Sequence, residues 1–156
     1  MKKLLSIRVM ILLLMVSFTV ISCEKRRAKK QAEEDDRIIL DYVAEMGLTA
    51  SKTDEGLYYV VDQLGTGAYP SSNSDVTVAY TGYLTDGSIF DESPSTGITF
   101  NLQNVIDGWT LGIPKFKEGG NGILLIPSAL GYGSTGTGSI PGNTVLVFDV
   151  ELIDIP

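Results

Sequence analysis

The chain has 156 residues, with twelve Lys plus Arg against nineteen Asp plus Glu, one cysteine and no histidine, for a formal net charge of −7. So acidic a balance is ill suited to a phosphate backbone, which argues against nucleic acid as a partner. With no histidine and a single thiol there is no Ser-His-Asp triad, no Cys-His pair and no ordinary zinc site, and neither a metal nor a cofactor is expected.

Lys2, Lys3 and Arg8 precede an apolar stretch, Val9 to Ile21, that ends at Ser22 and Cys23 before the charged run Glu24-Lys25-Arg26-Arg27. A basic start, an apolar middle and a small residue at the cut read as a secretory signal peptide over residues 1–22. The apolar stretch falls short of the roughly 20 residues that a spanning helix needs. Val20-Ile21-Ser22-Cys23 resembles a bacterial lipobox. That resemblance implies cleavage before Cys23 and a diacylglyceryl group on its sulfur, hence an extracytoplasmic lipoprotein anchored to a membrane of the cell envelope. As the only cysteine, Cys23 has no disulfide partner within the chain. Cleavage removes three cations and no acid, so the remaining chain is more acidic still.

Residues 23–36 are basic first (Lys25, Arg26, Arg27, Lys29, Lys30) and then acidic (Glu33, Glu34, Asp35, Asp36), the pattern of a solvated charged tether. Within residues 37–56, the apolar positions Ile38, Ile39, Tyr42, Val43 and Met46 recur at helical spacing, and Gly47 supplies a stop. One short amphipathic helix and a linker are predicted.

From residue 57 the period changes. Leu57 to Val61 is β-branched and aromatic, Val76 to Thr81 alternates at period two, and Asp86-Gly87 between Gly82-Tyr83-Leu84 and Ile89-Phe90 predicts a hairpin. Further strands are expected at Ile98 to Leu102, Ile123 to Ile126 and Thr144 to Leu152. In the last, Leu146, Phe148, Val150 and Leu152 share one face, with Val145, Val147, Asp149 and Glu151 on the other. Asn104 followed by Val105, Ile106, Trp109 and Ile113 predicts a capped helix. Gly131 to Gly142 is a glycine-rich loop, but no Gly-Lys-Ser/Thr closes it and no helix follows, which rejects a phosphate loop. Residues 57–156 thus read as one mostly antiparallel domain around one helix.

With acid-base histidines, metals and thiols excluded, aromatics at element edges carry the remaining signal. They occur in the words Val78-Ala79-Tyr80-Thr81-Gly82, Asp86-Gly87-Ser88-Ile89-Phe90-Asp91, Phe100-Asn101-Leu102 and Val105-Ile106-Asp107-Gly108-Trp109. Ile126-Pro127 to Tyr132-Gly133, Ile140-Pro141 and Leu146 to Leu152 follow in the same order. Together these resemble the FKBP-type peptidyl-prolyl cis/trans isomerases over Leu57 to Pro156.

The resemblance implies an α+β fold: a five- or six-stranded antiparallel half-barrel on a short helix, enclosing an apolar cleft. It makes Trp109 the floor and Tyr80, Phe90, Val105, Ile106 and Phe148 the walls, with Asp91 in a polar network at the rim. Tyr132 is the hydroxyl offered to a substrate carbonyl, Ile140 the apolar residue of a flap, and Phe100 core behind the cleft. It implies peptidyl-prolyl isomerase activity on proline-containing polypeptides, and binding of macrolides such as tacrolimus or rapamycin. The alternative from the same cleft is a module of the cell envelope that holds proline segments, or assists assembly, without turnover. Two departures stand out: Glu92 to Gly97 lacks an arginine that some members use to hold the aspartate, and Gly119 to Leu125 lacks the usual basic residues.

Overall fold

The computed structural model describes residues 2–156, with side chains from Glu24 onward, so the acylation expected at Cys23 lies outside the described side chains. The chain forms two compact units, Met1–Glu34 and Asp35–Pro156. Helix α1 (Lys2–Glu45) contributes residues to both. Among the described residues no helix is long and apolar enough to cross a membrane.

The stretch expected as a tether is helical instead. Ala28, Gln31, Ala32 and the long charged residues around them are strong helix formers, with no glycine or proline to interrupt them. Lys29 and Glu33 form an exposed i, i+4 pair at 3.8 Å, which contributes little by itself. The helix ends where Gly47 adopts a positive φ of 64°. There Leu48 N donates to Val43 O and Gly47 N to Ala44 O, at 2.9 and 3.2 Å, closing the last turn on its own carbonyls.

The second unit is built on one seven-stranded antiparallel sheet: β1 (Ser51–Lys52), β2 (Tyr58–Gln63), β3 (Asp75–Tyr83), β4 (Ile89–Glu92), β5 (Ile98–Asn101), β6 (Gly120–Ile126) and β7 (Leu146–Asp154). The spatial order is β1-β2-β6-β7-β3-β4, with β5 also paired to β3. The count exceeds the expected five or six for two reasons. A two-residue strand lies at one edge, and the neighbour of β3 on its outer side is broken into β4 and β5. At the break Ser93 takes over the ladder's work: its Oγ accepts from Tyr80 N at 2.9 Å and its own N donates to Tyr80 O at 3.0 Å. The hairpin forms where Asp86-Gly87 predicts it. Gly87 takes φ 85°, and Asp86 Oδ1 accepts from Ser88 N.

The short helix lies farther along than its sequence cap suggested. Asn101, rather than Asn104, caps a 3-10 turn over Leu102–Asn104 by accepting from Gln103 N. Helix α2 then occupies Asp107–Gly112 with Ile106 extended before it. The stretch 102–110 is tied back on itself, since Thr110 Oγ1 donates to Leu102 O at 2.6 Å.

Two cores flank the sheet. On the inner face Val76, Val78, Leu124, Ile126, Leu146, Phe148, Val150 and Leu152 pack with Trp109 and Ile113. On the outer face Tyr58, Val60, Leu125, Val145 and Val147 pack under Ile39 of α1, with Tyr42 and Val43 beside it. The alternation read in β7 is therefore real, and its Val147 side, with Val145 just before the strand, serves the second core.

Candidate active site

Helix α2 lies flat on the sheet because two of its positions carry no side chain. A Cβ on Gly108 would come within 2.5 Å of Ile126, and one on Gly112 within 2.7 Å of Leu124. That close approach sets Trp109 against the inner face, where it is 5% exposed. Tyr80 meets its ring edge-on at 4.8 Å, Phe148 edge-on at 5.2 Å, and Phe100 tilted at 5.1 Å. Edge-to-face contacts of this kind hold rings in fixed orientations. The indole Nε1 is buried without a hydrogen-bond acceptor among the described residues.

Above these rings opens a cleft of about 430 Å³, lined by Tyr80, Asp91, Phe100, Asn104, Val105, Ile106, Trp109, Tyr132 and Phe148. Seven of the nine residues that the sequence assigned to the cleft itself meet there. The other two do not line it. Phe90 packs behind Phe148 at 5.4 Å, in space kept open by Gly82, where a Cβ would sit 2.7 Å from both rings. Ile140 is 7% exposed and turns into the core, held by a two-way backbone pair with Thr137; its loop closes on itself. Phe100, expected behind the cleft, is part of its wall. Asn104 also lines it, where the sequence had suggested only a helix cap. Ser93 was missed as well, although it secures both sides of the Tyr80 peptide unit.

The rim is polar. Tyr80 Oη donates to Asp91 Oδ2 at 2.8 Å. Burial, with the Asp91 carboxylate adding to it, pushes the Tyr80 phenol up to about 12. Burial, and then Asp91, also raises Tyr132, whose hydroxyl has no hydrogen-bond partner among the described residues. Because the folded value of Tyr80 is raised, its contribution to stability is complete below the ordinary phenol value of about 10. It is lost as pH climbs through about 12. A difference titration of phenolate absorbance, folded parent minus Tyr80→Phe, should therefore centre near pH 12. A difference curve centred on the ordinary phenol value would contradict the burial and the Asp91 contact.

A second depression, of about 460 Å³, lies on the outer face among Asp62, Thr81, Asn121, Asp149 and Glu151. It is slightly larger, but acidic and open to water. It offers hydration where the first cleft offers rings.

The model of the family described as FKBP-type peptidyl-prolyl cis-trans isomerase matches residues 67–153. The chain belongs to that family. The aromatic cleft falls within the matched FKBP-type segment, whereas α1 lies outside it. The FKBP-type peptidyl-prolyl cis-trans isomerase FkpA of Aeromonas hydrophila is 44% identical over 135 residues, covering 84% of this chain and 50% of the relative. FkpA of Escherichia coli is 44% identical over 116 residues, 73% of this chain and 42% of its own length. The chain thus spans about half the length of these curated relatives or less. Among solved structures, Escherichia coli FkpA aligns with a TM-score of 0.70 and 36% identity, covering 84% of this chain and 63% of that one. A peptidyl-prolyl cis-trans isomerase from Pseudomonas syringae pv. tomato aligns at 0.71 and 34%, covering 81% and 94%. The antiparallel sheet on a short helix is the FKBP-like architecture expected from the sequence.

Proposed function

We propose that this protein is a peptidyl-prolyl cis/trans isomerase that accelerates Xaa-Pro rotation in exported polypeptides by desolvating the prolyl amide. The observation that carries the reading is the ring-walled cleft over Trp109, with two hydroxyls and one carboxylate at its rim. Rotation about the prolyl bond is opposed by amide resonance, a barrier of about 18–20 kcal/mol. In the twisted transition state that resonance, and much of the charge separation with it, is gone. A dry cleft therefore disfavours the planar, dipolar ground state more than the twisted one, and that difference lowers the barrier. No acid, base, metal or cofactor is required.

In this reading the proline ring rests on Trp109 between Val105, Ile106 and Phe148. Tyr80, held by Asp91, closes one edge against water. Tyr132 donates to a carbonyl flanking the prolyl bond, and its raised phenol value keeps the proton in place across the physiological range. Tacrolimus and rapamycin compete for the same apolar floor. Phe90 and Ile140 support the walls from behind. Lipid on Cys23 anchors the protein extracytoplasmically, at the envelope membrane where exported chains emerge.

The full chain should convert cis Xaa-Pro peptides well ahead of the uncatalysed reaction, which takes tens to hundreds of seconds. A folded sample that leaves the uncatalysed rate unchanged sinks the proposal. One observation favours a second reading: Asp91 is exposed on β4 and no arginine follows it. If Trp109 fluorescence reports peptide binding while conversion stays at background, the cleft holds proline segments without turning them over.

A further inference from the structure

Asp35, in the stretch that the sequence assigned to a solvated tether, is completely buried, and so is nearly all of its partner Ser128. Its Oδ2 accepts from Ser128 N at 2.8 Å and from Ser128 Oγ at 2.6 Å. Ser128 opens the 3-10 turn Ser128–Leu130 that leads into Tyr132. The Ser128 carbonyl accepts in turn from Gly131 N at 3.1 Å and Gly133 N at 2.8 Å, the amides on either side of Tyr132. A continuous line of hydrogen bonds therefore runs from a carboxylate on α1 to the backbone that aims the Tyr132 hydroxyl.

From this geometry we infer that Asp35 is a positioning residue for prolyl isomerisation, acting through Ser128 on Tyr132. The inference rests on the reading of Tyr132 as the donor to the substrate carbonyl. Its physical basis is that a buried carboxylate accepting two donors fixes both, and that removing it strands a buried N–H and O–H. The freed turn then samples orientations in which the Tyr132 hydroxyl misses its target. Misplacement by about 1 Å is enough to cost about a hundredfold in rate.

Asp36, the next residue, supplies the control. It accepts from Lys52 and Tyr58, clamping α1 to β1 and β2 without touching Ser128. A merely structural role, holding α1 on the sheet, would belong to both carboxylates. A positioning role belongs to Asp35 alone.

The experiment compares kcat/KM of the full chain with Asp35→Ala, Asp35→Asn, Asp36→Ala, Tyr132→Phe and the double variant Asp35→Ala/Tyr132→Phe, each checked for a cooperative melt. Asp35→Ala should lower kcat/KM about tenfold through kcat, and in the Tyr132→Phe background less than about twofold, because residues acting through one another are not additive. Asp35→Asn, which keeps an acceptor oxygen, should recover most of the loss, and Asp36→Ala should leave turnover unchanged. Equal losses from Asp35→Ala in both backgrounds, or no loss in a folded variant, overturn the inference. Should Tyr132→Phe alone leave turnover unchanged, the donor reading of Tyr132 fails separately. Amide exchange at Gly131 and Gly133 then decides the link itself: faster exchange in Asp35→Ala but not in Asp36→Ala supports it, and unchanged exchange overturns it.

Discussion

Trp109→Ala is expected to lower the unfolding free energy by about 3–5 kcal/mol, the usual loss when a large buried ring is truncated in a packed core. Isomerisation should fall to the uncatalysed rate in the same variant, measured below its melting midpoint. Both effects follow from one position. Trp109 is 5% exposed and touches the rings of Tyr80, Phe100 and Phe148, so its removal opens a void beneath the cleft and lets the walls lean in. The conservative variant separates the two contributions. Trp109→Phe keeps a flat ring and deletes an N–H that is buried without an acceptor among the described residues, a group whose unmet hydrogen bond costs about 1–3 kcal/mol. Its loss of stability should therefore be the smaller by more than about 1 kcal/mol. Equal losses in urea melts of the two variants would show that ring packing is not what Trp109 contributes.

The sequence was most informative where one periodicity met one environment. In β7, Leu146, Phe148, Val150 and Leu152 alternate with their neighbours because a pleated strand sends successive side chains to opposite faces. The inner face then meets α2 and the outer one meets α1. Asp86-Gly87 was legible because its turn is decided locally, by a positive φ and a side chain that accepts two residues ahead. Asn104 misled because no side chain caps α2, which starts after an extended Ile106, and Asn104 itself ends a separate 3-10 turn that Asn101 caps. Asn101 accepts from Gln103 N while also donating to Asn73 O and to Asp75 on the neighbouring strand, and these last two contacts lie outside any local window.

The cleft's composition was readable from its aromatic words, whereas the distinction between lining it and standing behind it was not. Phe90 and Phe100 sit on β4 and β5, two pieces of one broken edge. Both pack on the inner core, and what separates them is the ring each one meets, Phe148 for Phe90 and Trp109 for Phe100, a contact between distant elements that no local window contains. Asp35 shows a different blind spot. Counted by charge, it belongs to the run Glu33-Glu34-Asp35-Asp36. Counted by helical period, it stands four residues before Ile39 and seven before Tyr42, in phase with the stripe that packs on the sheet. An acid in phase with an apolar stripe was the available signal, and it marks a buried partner rather than solvent.

Asp91→Ala should leave stability within about 0.5 kcal/mol, as exposed positions usually do, while lowering kcat by about ten- to a hundredfold. The magnitude is that of one hydrogen bond to a charged group, about 1.5–3 kcal/mol, converted at about 1.4 kcal/mol per tenfold. The reason lies with Tyr80. Its hydroxyl is held at 2.8 Å by Asp91, and its ring stands edge-on to Trp109 at 4.8 Å, so under the proposed mechanism the carboxylate anchors the wall that keeps water from the prolyl amide. Without that anchor the hydroxyl turns to solvent, water follows it into the cleft, and the planar amide regains the hydration that the site was built to deny. Because that hydration favours the ground state, the loss should fall on kcat with KM little changed. Asp91→Asn, which still accepts from Tyr80, should retain most of the activity, and Tyr80→Phe should make Asp91→Ala nearly silent. A rise in KM at unchanged kcat would place Asp91 in substrate binding instead, and full activity in Asp91→Ala would remove the polar rim from the mechanism.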